Sequence, residues 1–348
     1  MIGAAQRSSA RILRRAVFCG LLATAPVLSA TASDPRAWLE KMSRALATRD
    51  YDGTFFHLSD GRVEAMRIVH RYRHGRVTER LQSLEGSGRE YIRSGNGRLT
   101  CYLPDEHTVL VETQPTHSPF LSTLPRFGPR VDRFYRISAL PDERLLGKPV
   151  KVIVVSPKDQ FRFGYRLWLD RKTAMPLKTQ LCDSRGRVLE QILFATLEMP
   201  KTIADRELRP NVPTAGMRWI VQGPTARASA GAADLRPARL PPGFRLTAAG
   251  VQTIGSAQRP AEHLVYSDGL ATVSLFVERK RGVGAAMRAA HAPLRGLARI
   301  DAGFAFSTVV EGHPVTAVGE VPAQTVEFIA HAVRPFTGGA MTPAPARR

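Results

Sequence analysis

The chain has 348 residues and a formal charge of +20, with 43% hydrophobic residues and three cysteines. This length is large for one domain and comfortable for two, and the apolar content supports a packed core, which excludes a disordered chain. After the first apolar segment, no stretch approaches the ~20 apolar residues that a membrane-spanning helix needs.

The N-terminus has the form of an export signal. Arg7, Arg11, Arg14 and Arg15 make a basic start, Ala16 to Leu28 is a short apolar run, and Ala30-Thr31-Ala32 supplies small residues for cleavage. Residues 1–32 are therefore expected to be removed, with an uncleaved anchor as the alternative. Cys19 goes with that segment, so Cys101 and Cys182 remain. In an oxidising compartment they are either one disulfide or two buried thiols. Without the four arginines of the signal the remainder is still strongly basic, which suits anionic lipid headgroups, lipopolysaccharide or acidic polysaccharide better than nucleic acid for an exported chain. The competing explanation is solvated charge, because the arginines are scattered.

Asp34-Pro35 predicts a helix start, with Asp as N-cap and Pro at the first turn. Trp38, Met42, Ala45 and Leu46 share one face, and the helix is expected to end near Thr48. The period then becomes two. Strands are predicted over 54–58, 63–72, 77–84, 89–93, 99–103 and 108–112, each separated by Gly, Asn, Pro or Asp. From Pro115 to Leu140, prolines interrupt Phe120, Leu121, Leu124, Phe127, Phe134 and Ile137, and short helices or an ordered apolar loop are expected. Strands resume over 150–156, 161–169, 177–182 and 188–197. One helix, many strands and an apolar insertion predict a strongly curved sheet with helices on its concave side.

Residues 200–238 hold Pro210, Pro213, Pro224 and Pro237 and the small-residue run TARASAGAAD, so a linker region is expected, with a possible strand over 217–221. A second domain spans 239–334, with strands in HLVYSDGLATVSLFVE and PVTAVGEV. It closes on a helix over 323–333 whose Val326, Ile329, Ala330 and Val333 face inward. Tyr266-Ser267-Asp268-Gly269 is expected to be a turn, or else a partner surface. Residues 335–348 are expected to be a disordered tail.

The chain lacks G-x-S-x-G, H-E-x-x-H, C-x-x-C and P-loop signatures. None of its nine histidines lies four residues from another on a predicted helix, and His70 and His74, on a strand and turn, are expected to be ordinary surface or turn histidines. Glu79 and Glu90 stand among Arg80, Arg89 and Arg93, which predicts ion pairs on a wet face. No catalytic residue, metal or cofactor is nominated.

In FRFGYRLWLD, the residues Phe161, Phe163, Tyr165, Leu167 and Leu169 share one face, while Arg162, Arg166, Trp168 and Asp170 share the other. Leu177 is expected to continue the apolar face. That face is either filled by helices or left as a cavity for an apolar ligand, and the filled core is favoured on the residues alone.

The stretches AWLEKMSRAL, YDGTFFH, MRIVHRYRHGRVTERLQSLEGSGREYIR, CYLPDEHTVLVE, FRFGYRLWLDRKTAMPLK, LPPGFRL, HLVYSDGLATVSLFVE and PVTAVGEVPAQTVEFIAHAV resemble, in order, the RseB/MucB family of sigma-E envelope-stress regulators. The resemblance implies an α+β fold. Its N-terminal domain, over 33–199, is a half-open antiparallel β-barrel like LolA and LolB with helices in its mouth. A smaller C-terminal β-sheet domain with a helix follows. The resemblance also implies a non-enzymatic periplasmic role. Such a protein binds the periplasmic region of a RseA/MucA-like anti-sigma factor and shields it from site-one proteolysis, until lipopolysaccharide or a lipoprotein displaces it. The alternative is a periplasmic lipid or lipoprotein carrier. On this reading Met66, Ile68, Leu81, Phe127, Phe163, Tyr165 and Leu167 contact acyl chains, and Arg89, Arg93 and Arg162 form an anionic-ligand rim. The protein is expected to be peripheral to the membrane and not to bind nucleic acid.

Overall fold

The structure is a computed structural model that describes residues 34–86, 88–113, 127, 131–222, 235–254, 259–278, 296–300 and 302–335. The expected signal segment, most of the proline-rich insertion, TARASAGAAD and the tail beyond Pro335 lie outside the described residues. None of the described helices is long and apolar enough to cross a membrane.

Helix α1 (Pro35–Thr48) starts where the sequence predicts. The Asp34 carboxylate accepts the Arg36 amide hydrogen, and Trp38, Leu39, Met42, Ala45 and Leu46 are buried along one face. The strands that follow are β1 (Tyr51–Ser59), β2 (Arg62–Arg73), β3 (Arg76–Ser83), β4 (Glu90–Arg93), β5 (Leu99–Leu103) and β6 (Thr108–Glu112). A single-turn helix, α2 (Val131–Phe134), leads into β7 (Tyr135–Leu145), β8 (Lys148–Pro157), β9 (Gly164–Asp170), β10 (Pro176–Cys182) and β11 (Val188–Glu198). With β12 (Arg218–Gln222) they form one sheet in the order β12-β6-β5-β4-β3-β2-β1-β11-β10-β9-β8-β7. Every pairing is antiparallel except β12 with β6.

The sheet is curled. Helix α1 touches both β2 and β7, which have five strands between them. At strand spacing that separation is roughly 29 Å in a flat sheet, far more than the width of a helix. The sheet must wrap α1, yet its edge strands β12 and β7 do not pair with each other, so the barrel stays half-open. Its concave face packs Tyr51, Phe55, Met66, Ile68, Leu81, Leu167 and Ile192 against the buried face of α1.

Four sequence expectations are corrected here. Strand β7 runs through the stretch expected to be irregular. A bulge between Leu140 and Glu143 accommodates Pro141 on an edge strand, where a missing N–H leaves no gap in the ladder. Leu177 leaves the Leu167 face, because a bulge between Pro176 and Lys178 turns it to the opposite side. There it packs with Trp168, Val150 and Val152, so both faces of β9 are covered. The expected linker is in part a cover for the outer face: Ile203 and Leu208 pack on Val69, and Val212 and Met217 pack on Ile92, Tyr102, Val109 and Val111. Finally, the Arg80–Glu90 pair does not stand on a wet face, because this cover buries it.

The second sheet has the order β14-β15-β16-β19-β18-β17, with β14 (Arg245–Ile254), β15 (Arg259–Ser267), β16 (Thr272–Glu278), β17 (Gly296–Ile300), β18 (Gly303–Val310) and β19 (His313–Gly319). Helix α3 (Ala323–His331) lies on β18 and β19, and buries Val326, Ile329 and Ala330 as predicted. It stops two residues early, and buried Val333 begins β20 (Val333–Pro335), which pairs with β13 (Leu235–Pro237).

Candidate functional site: the concave face and the seam

The residues predicted to meet acyl chains do come together, but as core. Met66, Ile68, Leu81 and Leu167 belong to the cluster packed on α1, while Tyr165 and Phe127 stand at its margin. Their rings meet edge to face at 6.4 Å. Phe163 belongs to a separate small cluster with Leu181 and Ala302 of the second module, to which Tyr165 is the link. Beside Tyr165 a void of about 10 Å³ opens between Thr179, Leu181, Glu190, Ile192 and Glu320. That is room for about one water at most, so it holds no fatty chain.

The three predicted rim arginines have three different fates. Arg89 borders a polar cleft of about 650 Å³ together with His57, Arg62 and Glu64. Its guanidinium donates to Glu64 at 2.7 Å. Burial opposes charge on the Glu64 carboxyl, but hydrogen bonds from Ser83 and Arg89 outweigh it and hold the carboxyl below its usual range. Arg93 is half-buried opposite Glu79 in the β3–β4 ladder. Arg162 is not at a rim at all. It is 1% exposed and joins the two sheets, which corrects the expectation that it stands in water. Alternation along FRFGYR gave it the wet face, but the second module covers that face.

The seam is built around this arginine. Nε donates to Asp268 Oδ2 at 2.5 Å, while other guanidinium nitrogens reach Asp159 and the Pro242 carbonyl. Phe134, Tyr135 and Phe244 place their rings 4.7, 5.7 and 5.3 Å from the guanidinium carbon. Burial disfavours the charge, but Asp268 and Asp159 more than offset it, and the group is held protonated. Tyr135 donates its hydroxyl to the same Asp268 oxygen at 3.1 Å, and burial, then Asp268, raises its pKa. The other Asp268 oxygen accepts the amide hydrogens of Leu270 and Ala271, so one carboxylate both shapes the β15–β16 turn and binds the first module. Gly243 has φ +85, and a Cβ there would run into the Phe134 ring. At the α3 end, Thr325 donates to the Phe161 carbonyl at 3.0 Å, and Phe161 meets Phe328 edge to face. The sequence named the 266–269 turn but missed Asp268, Tyr135 and Phe244 as partners of Arg162, because their spacing along the chain carries no sign of the contact.

Both cysteines are buried and free. Five strands lie between β5, which carries Cys101, and β10, which carries Cys182. The disulfide option is thereby corrected to two thiols. Burial pushes the Cys101 thiol up to about 12 and also raises that of Cys182, so both are weak nucleophiles.

His70, expected at the surface, is instead buried near the end of β2. Its ring stacks on Tyr51 at 4.5 Å and Nδ1 donates to the Arg49 carbonyl at 2.9 Å. Glu79 is 3.9 Å from Nε2, too far for a hydrogen bond, and burial outweighs the Arg49 carbonyl and the Asp50 charge: the imidazole pKa falls to about 4. Between pH 6.5 and 4 the unfolded chain therefore takes up a proton that the folded chain refuses. Stability is expected to decline over this window as pH falls, by on the order of 3 kcal/mol from this group, and to level off below it. Urea midpoints at pH 7 and 4.5 check this, since His70→Gln should lose that share of the pH dependence and keep the rest.

Among the described residues no cluster of three or more His, Cys, Asp or Glu side chains is placed to hold a metal ion. What is built here is a curled, half-open barrel with an apolar concave face, joined through a buried charged seam to a sheet-and-helix module: a two-module protein of the unclosed-barrel class. The chain belongs to the MucB/RseB family, whose N-terminal domain matches residues 34–212 and whose C-terminal domain matches residues 229–334. It is 32% identical over 326 residues to the sigma factor AlgU regulatory protein MucB of Pseudomonas aeruginosa, covering 90% of this chain and 94% of that one. It is 24% identical over 306 residues to the sigma-E factor regulatory protein RseB of Escherichia coli K12, covering 86% and 90%. The solved complex of Pseudomonas aeruginosa MucA and MucB matches with a TM-score of 0.67 at 27% identity, over 87% of this chain and 99% of the matched chain. A crystal structure of MucB with MucA(peri) matches with a TM-score of 0.65 at the same identity and coverage.

Proposed function

We propose that this chain is a non-catalytic periplasmic regulator that binds the periplasmic region of a MucA/RseA-like anti-sigma factor and shields it from its first protease. The observation that carries this reading is the correspondence, through both modules, with a MucB chain solved in complex with MucA. A lipid or lipoprotein carrier would have to offer an open apolar groove. In the described state Met66, Ile68, Leu81 and Leu167 are packed on α1, which favours the regulator.

Release follows from the same packing. An acyl chain that reaches these residues must displace α1, with Phe127, Tyr165 and Phe163 along its path and Arg89 and Arg93 near the phosphates. Such a ligand shifts the protein out of its partner-binding state only by binding the displaced state more tightly. The test is a cleavage assay with the purified anti-sigma periplasmic region and its site-one protease. Added protein is expected to slow cleavage and lipopolysaccharide to restore it. Cleavage at an unchanged rate with saturating protein would sink the reading.

A further inference from the structure

We propose that the tip of the β7–β8 hairpin, Leu145 to Lys148, docks on an anionic phospholipid bilayer. The argument starts from backbone conformation. Four tight turns place two successive residues in the left-handed region: Asp60-Gly61, His74-Gly75, Leu146-Gly147 and Glu311-Gly312. Asn, Asp and Gly suit the first of these positions, because a short polar side chain or none tolerates positive φ. Three of the turns carry a polar first residue. The fourth carries Leu146, at φ +50 and 52% exposed, so its unfavourable backbone is not offset by packing. An apolar side chain held out in water at a strained tip is suited to a surface that takes it in.

Its surroundings indicate which surface. Arg144, Lys148, Arg171 and Lys172 are all exposed around the tip. Arg144 donates to the Gly147 carbonyl at 2.5 Å and stiffens the turn. Asp142 takes Arg171 and Lys151, at 2.7 and 2.9 Å. Lys148 and Lys172 make no ion pair among the described residues. The ladder places the 145–148 tip, the 170–175 turn and the Arg73-His74-Gly75-Arg76 tip at the same end of the strands. The second module joins the opposite end, at Arg162 just before β9 and at Asp60 through Arg299. One leucine within a ring of cations is too small for a protein hot spot, and it fits the acyl boundary beneath a layer of phosphates. This docking neither uses nor requires the anti-sigma partner.

The test is co-sedimentation of the chain beginning at Ser33, which removes the apolar N-terminal run. All the buried clusters draw on residues from Trp38 onward, so this form keeps the fold. Vesicles of phosphatidylcholine alone are compared with vesicles holding about 30% phosphatidylglycerol. Binding is expected only to the anionic vesicles and should weaken as salt rises. Leu146→Asn should cut it about tenfold while raising Tm, because asparagine suits the turn. Lys148→Ala and Lys172→Ala should each cut it about fivefold. The proposal is overturned if anionic vesicles are not bound, if neutral vesicles bind equally, or if Leu146→Asn binds like the original. Binding that polyglutamate abolishes and Leu146→Asn leaves intact is plain charge attraction and also overturns it.

Discussion

Replacing Arg162 with methionine is expected to cost about 3–5 kcal/mol of stability, because Asp268 is then left buried without its counter-charge. The loss should be larger than for Asp268→Asn, where Asp159 still faces the guanidinium and an asparagine oxygen still accepts from Leu270 and Ala271. The double variant should recover much of the difference, since a neutral asparagine beside methionine leaves no uncompensated charge at position 268. The seam also sets the mode of unfolding. In the original chain the modules share Arg162, Asp268 and the Phe161–Phe328 contact and are expected to melt together. Arg162→Met should split the calorimetric transition into two, because each module keeps its own core. A single transition at the original temperature would show that the seam does not couple them.

The second large effect is expected at Arg80. Its guanidinium grips Glu90 with two bonds, at 3.1 and 2.9 Å, and Glu90 is 0% exposed. The same carboxylate accepts the Asn211 amide hydrogen, and Arg80 also reaches the Glu207 carbonyl. Arg80→Met should destabilise by about 3–5 kcal/mol through the uncompensated Glu90 charge. Arg80→Lys should fall between, because an ammonium keeps the charge but not the fork. The signature that separates this from general weakening is local: limited proteolysis should cut first between residues 200 and 217, as their anchor loosens. An unchanged cleavage pattern with lowered stability would assign the pair to the sheet alone.

Where one face of an element meets the core, the sequence was easy to read. Asp34-Pro35 and the spacing of Trp38, Met42 and Leu46 located α1, and alternation located most of the first sheet. The curled, half-open sheet and the second sheet with its helix match the fold that the family resemblance implied. Alternation misleads wherever a second layer covers the face that would otherwise be wet. Arg162 and Glu90 alternate like surface residues, yet Asp268 with Phe244 covers one and the 200–217 segment covers the other. It also fails at bulges, which break the period of two at Leu177 and at Pro141. Strand β14 leaves little trace in the sequence for a related reason: its Thr247-Ala248-Ala249-Gly250 run is small and weakly patterned, and a bulge falls within it. His70 reads as a surface histidine, but Tyr51 from the neighbouring strand stacks over it.

Strand β12 has a consequence for how the chain acquires its shape. Its Arg218 side chain meets Thr108 from 110 residues away, and it lies parallel to β6 on the far margin of the first sheet. Closing so long a loop is slow relative to making hairpins, so this margin, like the still longer-range β1–β11 pairing, is expected to form after the hairpins. A fragment ending at residue 199 would keep all the hairpins but present β6 as a bare template for a neighbouring molecule, with Ile92 and Val109 uncovered behind it. The shortest self-sufficient first half therefore extends to Gln222, and fragments that stop sooner should clump.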